Sequence, residues 1–182
     1  AAQASVLPWI VWGAGAAGVV ALWVTRVLRM RAMMKQGWAA DAAVKAEVAR
    51  VACEMGLSGA PRVLMVDARV SPMVWCGLRP VLVLPEGLWH GLGEESRAAV
   101  LVHELAHLRR GDHRWCWVQI VVGVVFWWHP VAWLAQNRVK EESEASCDAW
   151  VTAMRPSGRR GYADALLTAG SFVSVNGPGV GP

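Results

Sequence analysis

Residues 103–107 read His-Glu-Leu-Ala-His, and residues 144–148 read Glu-Ala-Ser-Cys-Asp. Side chains four residues apart lie on one face of a helix, so His103 and His107 can both present imidazole nitrogens to a single ion. Glu104 lies beside them and is placed to take a proton from a water molecule that the ion activates. The first motif therefore predicts a zinc-binding helix that carries its own general base.

The second motif supplies the remaining ligand. A catalytic zinc ion takes three protein ligands and keeps one position open, so we predict Glu144 as the third ligand. Asp148 lies one turn later on the same helical face, where it can hold a ligand histidine in its correct tautomer. Cys147 competes with Glu144 as a ligand, but a small, buried, apolar role fits this cysteine better.

The residues around the first motif are typical of a helix. Apolar residues recur at helical spacing, acidic residues come before them, and a basic pair followed by Gly111 resembles a helix C-terminus. The plainer interpretation, an amphipathic helix with two surface histidines, is disfavoured by this context.

Composition indicates a membrane-associated protein. Of the 182 residues, 55% are hydrophobic and 18% are charged, and the twelve tryptophans are typical of a bilayer interface. The net charge of +4 comes largely from basic clusters. Anionic lipid headgroups explain these clusters better than nucleic acid does, because no basic groove pattern interleaved with aromatic residues is present. We therefore expect membrane lipid as a partner and no direct binding of nucleic acid.

Residues 1–28 are predicted to form a transmembrane helix. Residues 7–24 are uncharged and about long enough to span a bilayer. A cleaved signal peptide is disfavoured because the basic residues follow the apolar segment and no small-residue cleavage site separates them from it. By the positive-inside rule, the domain after this helix starts in the cytoplasm. Tryptophans near the two ends of the apolar segment fit interfacial anchors: Trp9, Trp12 and Trp23.

Small residues on the membrane segment suggest a helical partner. Gly13, Ala14, Ala17 and Gly18 form small-xxx-small pairs, which favour packing on another membrane helix, including that of a second copy of the chain. The alternative is that such residues are merely common in membrane helices. The four cysteines are scattered, with no CxxC pair, and are expected to be reduced and mostly buried in a cytoplasmic domain.

Residues 29–170 are predicted to form the cytoplasmic zinc metallopeptidase domain, of the α+β class and mainly α. A helix is expected over residues 39–55, and strands over 62–66, 73–76 and 81–84. Pro80 and Pro85 keep the last two strands short, which suits a sheet edge to which an extended substrate could add. A plain core hairpin is the alternative. Residues 171–182 are expected to be a linker to a further C-terminal region.

A second strongly apolar segment, residues 115–135, determines the predicted topology of the chain. One spanning helix would put His107 and Glu144 on opposite sides of the bilayer, where they could not share an ion. His129-Pro130 allows the chain to turn, giving a helical hairpin near residues 115–150 that lies in the core or is partly inserted in the membrane. His90, His113 and His129 have no partner at ligand spacing and are expected to be turn or helix-end residues.

The whole pattern resembles the BlaR/MecR-type regulatory membrane peptidases over about residues 8–170. The resemblance includes the 37-residue gap between His107 and Glu144, the Cys-Asp pair after the glutamate and the tryptophan-rich hairpin. The motifs that carry it are Ser71-Pro72, Gly77-Leu78-Arg79-Pro80, Leu84-Pro85, His103 to Asp112, Trp128-His129-Pro130 and Glu144 to Asp148.

The resemblance implies a gluzincin-type metalloprotease with several membrane helices and a cytoplasmic zinc site. It implies one catalytic zinc bound by His103, His107 and Glu144, with Glu104 as the general base and acid. It also implies that Asp148 contacts a ligand residue without binding the zinc itself. Asp112 matches a recurrent acidic position of the family, for which we expect a structural role at the helix end. The best-known members sense β-lactams, cleave themselves and relieve repression by a DNA-binding repressor. No stretch of residues 1–182 resembles their sensor domain, so we do not expect β-lactam sensing to transfer.

The predicted function is a membrane-anchored zinc endopeptidase that cleaves a repressor-type regulatory protein, itself, or both. A membrane quality-control zinc protease is the rival enzyme, disfavoured by the motif spacing and the Cys-Asp pair. A non-catalytic signalling scaffold fixed by zinc is the rival from another class, disfavoured because a purely structural site needs no base. Tyr162 and Arg138 are candidates for stabilising the oxyanion.

Overall fold

The computed structural model describes residues 6–75, 77 and 79–174. It confirms the predicted α+β class, mainly α, with one small sheet. The helices are α1 (Leu7–Lys35), α2 (Ala42–Glu54), α3 (Glu86–Gly91), α4 (Glu94–Arg110), α5 (Asp112–Val125), α6 (Pro130–Met154) and α7 (Arg159–Ser174), with a short 3₁₀ turn at Pro156–Gly158. The strands are β1 (Trp38–Ala39), β2 (Arg62–Val66), β3 (Met73–Trp75) and β4 (Val81–Pro85).

Helix α1 is longer than the predicted transmembrane segment. It has 29 residues and continues through residues 29–35, because the arginine, methionine, alanine and lysine residues there are good helix formers. It is long and apolar enough to cross a membrane, and only 6% of its most apolar 18-residue window is buried inside the protein. Its C-terminal end packs Met33 and Met34 against the sheet.

The sheet has the strand order β1-β2-β4-β3. The central strands β2 and β4 are parallel, and β3 pairs antiparallel with β4, with Val74 opposite Leu82. Strand β3 lies at the edge as predicted, but β4 lies inside the sheet. Its prolines permit this because Pro80 precedes the strand and Pro85 is its last residue, so neither interrupts the middle of the ladder. Strand β1 has two residues and was not predicted. The predicted end of the strand over residues 73–76, Cys76, lies outside the described residues.

Helix α4 forms the centre of the domain. It packs against α2, α5, α6, α7 and strand β3. Eight of its 17 residues are buried, including Leu101 and Leu105, which have no exposed surface. They join Leu82 and Leu84 of β4 in the main core. This burial fixes α4 rigidly, and α4 carries the first motif.

Helices α5 and α6 form a hairpin. The chain leaves the helical conformation after Val125 and resumes it at Pro130, whose fixed φ suits the first residue of a helix. Helix α6 then runs on to Met154, so that Cys147 and Val151 are buried against the domain core. The arms of the hairpin expose an apolar surface: Trp115, Trp117, Val118, Val121, Val125, Phe126, Trp128, Val131, Trp133 and Leu134.

The tip of the hairpin contacts helix α1. The indole Nε1 of Trp12 donates to the carbonyl of Val125 at 3.1 Å, and Nε1 of Trp127 donates to the carbonyl of Trp12 at 3.2 Å. Gly15 lies under the Trp127 ring, which occupies the space that a Cβ atom would need. The face predicted to pack on another helix is different, because Gly13 and Gly18 have open space at the Cβ position. Packing of that face on another helix stays a prediction.

The contact at Gly15 yields a stability prediction. Gly15→Ala should force the Trp127 ring away from α1 and strain its hydrogen bond to Trp12, at a cost of about 1–3 kcal/mol for overpacking. Gly18→Ala is the matched control, since it adds the same methyl group where no atom lies within 4 Å. Thermal unfolding in detergent should show a lower midpoint for the first variant only. Equal midpoints would contradict the α1–hairpin contact.

Candidate metal centre

The end of helix α4 determines where the motif side chains point. Glu94 and Glu95 lie in its first turn, and Gly111 ends it in the left-handed conformation with φ of 78°. That conformation favours glycine, because a Cβ atom would be strained there. The chain therefore turns sharply from α4 into α5. His103 and His107 lie on the face of α4 that looks toward α6.

The structure brings together the three residues predicted as ligands. One potential ligand atom each from His103, His107 and Glu144 lie within 4.8 Å of one another. His103 Nε2 is 3.4 Å from Glu144 Oε2, and the two imidazole rings meet edge to face with centroids 5.3 Å apart. The two histidine side chains are mostly buried, whereas the Glu144 side chain is 49% exposed. Their role as ligands stays a prediction, now with the required proximity.

His103 has polar partners on its other ring nitrogen. Its Nδ1 lies 3.1 Å from Asp148 Oδ1 and 2.9 Å from the Tyr162 hydroxyl, which donates to the same Asp148 oxygen at 2.5 Å. Burial lowers the pKa of His103, and the neighbouring His107 lowers it further, against the raising effect of the Asp148 and Glu144 carboxylates. A neutral imidazole with Nδ1 engaged offers its Nε2 lone pair to a metal.

The two oxyanion candidates have other contacts. Tyr162 is engaged behind His103, and burial together with its hydrogen bond to Asp148 raises the pKa of its hydroxyl. Arg138 forms an exposed ion pair with Glu141 at 2.9 Å, and it is absent from the cleft lining among the described residues. Tyr162 is therefore placed as a partner of His103 and Asp148, and Arg138 as a surface residue.

His107 has a separate set of partners. Its Nδ1 is 2.8 Å from Asp112 Oδ2, and the Ser143 hydroxyl donates to that same oxygen at 2.8 Å. Burial raises the pKa of the Asp112 carboxyl, but the hydrogen bonds with His107 and Ser143 outweigh it and leave the pKa below its usual range. Asp112 thus contacts a predicted ligand, beyond the helix-end role expected from the sequence.

Cys147 lies close to the same histidine. Its Sγ is 3.5 Å from His107 Nδ1, and His107, Asp112 and Cys147 form a second group whose potential ligand atoms lie within 4.8 Å. The side chain is fully buried, and burial raises the pKa of the thiol to about 12. In the absence of a metal the thiol form is therefore strongly favoured at neutral pH, in keeping with the buried apolar role expected for Cys147.

Glu104 is the only buried charged residue among the described residues, with 8% of its surface exposed. Burial raises the pKa of its carboxyl to about 8, the negative charge of Glu144 adds to this, and a hydrogen bond from the backbone of Val74 opposes it. The edge strand β3 therefore touches the predicted base directly. A carboxyl group with a pKa near neutrality is suited to accept a proton and to return it.

One cleft of about 690 Å³ is lined by the predicted site residues and their partners: His103, Glu104, His107, Asp112, Glu144, Asp148 and Tyr162. Its wall combines residues 71–74, from the loop before β3 and the strand itself, with the motif residues of α4 and with α6 and α7. Lys140 and His113 also line it, and Nδ1 of His113 is buried without a hydrogen-bond partner. His90 and His129 are absent from both potential metal-binding groups found in the part of the chain that the structure describes.

The donor set fits zinc. Two imidazoles and one carboxylate form a ligand set of catalytic zinc sites, which keep a fourth position for water or substrate. Here the Nδ1 atom of each histidine is engaged by a carboxylate, as is usual for imidazoles that bind zinc through Nε2.

Comparison with known proteins identifies the family to which the chain belongs. The family model described as BlaR1 peptidase M56 matches residues 1–180. Over 78 residues the chain is 32% identical to the regulatory protein BlaR1 of Bacillus licheniformis and 23% identical to the methicillin resistance mecR1 protein of Staphylococcus aureus. Each match covers 43% of this chain and 13% of the relative, so the aligned part is a small fraction of those proteins. Because the family model covers nearly every residue, the chain belongs to the BlaR1 peptidase M56 family.

Proposed function

We propose that this chain is the catalytic part of a membrane-anchored, zinc-dependent endopeptidase that cleaves a repressor-type regulatory protein, itself, or both. One observation carries the proposal: a buried glutamate, Glu104, lies in the same cleft as three converging potential ligands, His103, His107 and Glu144. The regulatory part of the proposal is supported by the family and by the names of the two relatives.

His103, His107 and Glu144 are the residues that would hold the zinc ion. When bound, zinc supplies Lewis acidity, which polarises a peptide carbonyl and makes a water molecule more acidic. Asp148 and Tyr162 fix the ring of His103 from behind, because both contact its Nδ1 atom. This leaves the Nε2 side of the ring to the cleft.

Glu104 is proposed to carry the proton. Its carboxylate removes a proton from the attacking water, and the resulting carboxylic acid donates that proton to the nitrogen of the departing amine. Burial beside β3 limits its access to bulk water and holds its pKa near neutrality. The backbone hydrogen bond from Val74 orients the carboxyl group and ties it to the strand that would bind the substrate.

Strand β3 is proposed to bind the substrate in an extended conformation. It pairs with β4 on one side, and among the described residues no strand pairs with its other side. Met73 and Val74 of this strand line the cleft that contains Glu104. The backbone of Val74 is already engaged with Glu104, so a peptide that adds to the outer edge of β3 by backbone hydrogen bonds would pass beside the predicted base.

The scaffold alternative predicts a different environment for Glu104. A metal that only stabilises the fold requires no buried carboxyl group beside it, and burying such a group costs free energy. The chain nevertheless keeps Glu104 in the cleft with a pKa of about 8. This arrangement favours the enzyme.

We propose that the hairpin is inserted in the membrane beside α1 and that the metal centre lies at the cytoplasmic surface. Helix α5 has 14 residues and rises about 21 Å. The same rise separates Trp12, which contacts the hairpin tip, from Arg26, the first basic residue of α1. Because α1 and α5 pack together, the base of the hairpin would lie near the level of the basic residues.

Cysteine labelling tests this topology in the parent protein in native membranes. Arg110→Cys and Lys140→Cys should both react with a membrane-impermeant maleimide from the cytoplasmic side, and Trp128→Cys at the hairpin tip should be protected from either side. The protein with native cysteines only is the control for background labelling. Reaction of residues 110 and 140 from opposite sides would contradict both the hairpin topology and the assignment of Glu144 as a ligand.

Substitution of Glu104 tests the catalytic proposal. Glu104→Gln and Glu104→Ala should slow cleavage by about two to four orders of magnitude, the usual contribution of general acid–base catalysis, while zinc content stays at one ion per chain. Cleavage is measured as self-cleavage during expression or as cleavage of a co-expressed repressor-type protein. Glu47→Gln is the matched control, because Glu47 is a partly buried glutamate whose pKa is also raised by burial, but it lies outside the cleft lining.

The comparison separates the alternatives. Wild-type cleavage rates in the Glu104 variants would exclude Glu104 as the base. A zinc-loaded wild-type protein that cleaves neither itself nor a repressor would favour the scaffold.

A further inference from the structure

Asp112 is placed by the corner between α4 and α5. Gly111 ends α4 in the left-handed conformation, and Asp112 is the first residue of α5. The reversal brings the Asp112 carboxylate back beside the last turn of α4, where its Oδ2 lies 2.8 Å from His107 Nδ1. The contact therefore follows from one glycine-dependent turn.

The same carboxylate is fixed from the opposite side of the cleft. Ser143 of α6 donates its hydroxyl to Asp112 Oδ2 at 2.8 Å, and Arg110 Nε lies 3.4 Å from Oδ1. Ser143 precedes Glu144 in the chain. Asp112 and Ser143 are 31 residues apart in sequence, and their contact links the backbone segment that carries Glu144 to the ring of His107.

The two histidines are therefore held in the same way by different elements. His103 Nδ1 meets Asp148, which lies on α6. His107 Nδ1 meets Asp112, which lies at the start of α5. An Nδ1–H that donates to a carboxylate fixes the tautomer with the lone pair on Nε2 and fixes the ring orientation.

We propose that Asp112 is a positioning residue of the metal centre: it holds His107 with Nε2 toward the cleft and, through Ser143, sets the distance between His107 and Glu144. This inference rests on the proposed zinc site and extends it by one residue and one interhelical contact. Asp112 acts through His107, so its loss should weaken metal binding without removing a ligand.

The alternative role for Asp112 is that of a metal ligand, since His107, Asp112 and Cys147 form a second group of potential ligands. In that role Asp112 and Cys147 would bind a metal through the Nδ1 side of His107. The two roles differ in stoichiometry and in their dependence on Cys147, so a single set of variants separates them.

The experiment measures zinc affinity of the purified chain in detergent by competition with a chelator. Asp112→Asn should raise the zinc Kd about 10- to 100-fold, the usual effect of losing the carboxylate behind a ligand histidine. Ser143→Ala should raise it less, and the double variant should bind no more weakly than Asp112→Asn alone, because Ser143 acts through Asp112. Cys147→Ala should leave the Kd and the single equivalent of zinc unchanged.

Two controls separate positioning from loss of fold. Asp41→Ala removes a carboxylate that caps α2 through Val44 N at 2.8 Å, far along the chain, and should lower thermal stability while leaving the zinc Kd unchanged. In protein labelled with ¹⁵N-histidine and loaded with zinc, Asp112→Asn should shift the ring resonances of His107. Those of His103 should stay in place, because Asp148 is intact.

The outcomes are distinct. An unchanged zinc Kd in Asp112→Asn, with tight binding by the wild type, overturns the positioning role and leaves the proposed function standing. Loss of a second zinc equivalent in both Asp112→Asn and Cys147→Ala overturns it in favour of the second ligand group. A wild-type protein that binds no zinc overturns this inference and the proposed function together.

Discussion

The return of Glu144 to the histidines of α4 is the constraint on which the rest of the structure depends. His103 and His107 come together without any long-range contact, because side chains four residues apart lie on one face of a helix. The carboxylate is 37 residues further along, and a single long helix after α4 would carry it far from the histidines. The hairpin of α5 and α6 solves this problem, with one reversal at Gly111 and another before Pro130.

The electrostatics of the centre follow from that convergence. Three carboxylates, from Asp112, Glu144 and Asp148, surround the two imidazoles, and Glu104 is buried beside them. Their negative charges oppose one another, and the charge of Glu144 contributes to the raised pKa of Glu104. A cation would offset the repulsion within this group of carboxylates, so the arrangement is suited to a divalent metal ion. The rigid core around α4 holds this unfavourable group together.

Sequence patterns predicted the parts of the fold and site that depend on local spacing. Local patterns predicted helix α4 from the helical spacing of its apolar residues and strands β2, β3 and β4 from their strand propensity. The break at His129-Pro130 was predicted from the geometry of proline. Strand β1 was not readable, since two residues carry no period, and the interior position of β4 depends on pairing with β2, which is a long-range contact. The contact of Asp112 with His107 was missed because helical periodicity ends at Gly111, and the sharp turn there brings the two side chains together. Ser143 and Tyr162 reach the centre only through packing of α6 and α7 on α4, for which the sequence contains no pairwise signal.

X-ray absorption spectroscopy of the zinc-loaded chain would identify the atoms bound to the metal and thereby test whether Glu144 is the third ligand. We expect zinc with nitrogen and oxygen ligands at about 2.0–2.2 Å, including the multiple-scattering signature of two imidazoles, and no sulfur. A sulfur ligand at about 2.3 Å would contradict the proposed ligand set, because Cys147 would then replace Glu144 as the third ligand.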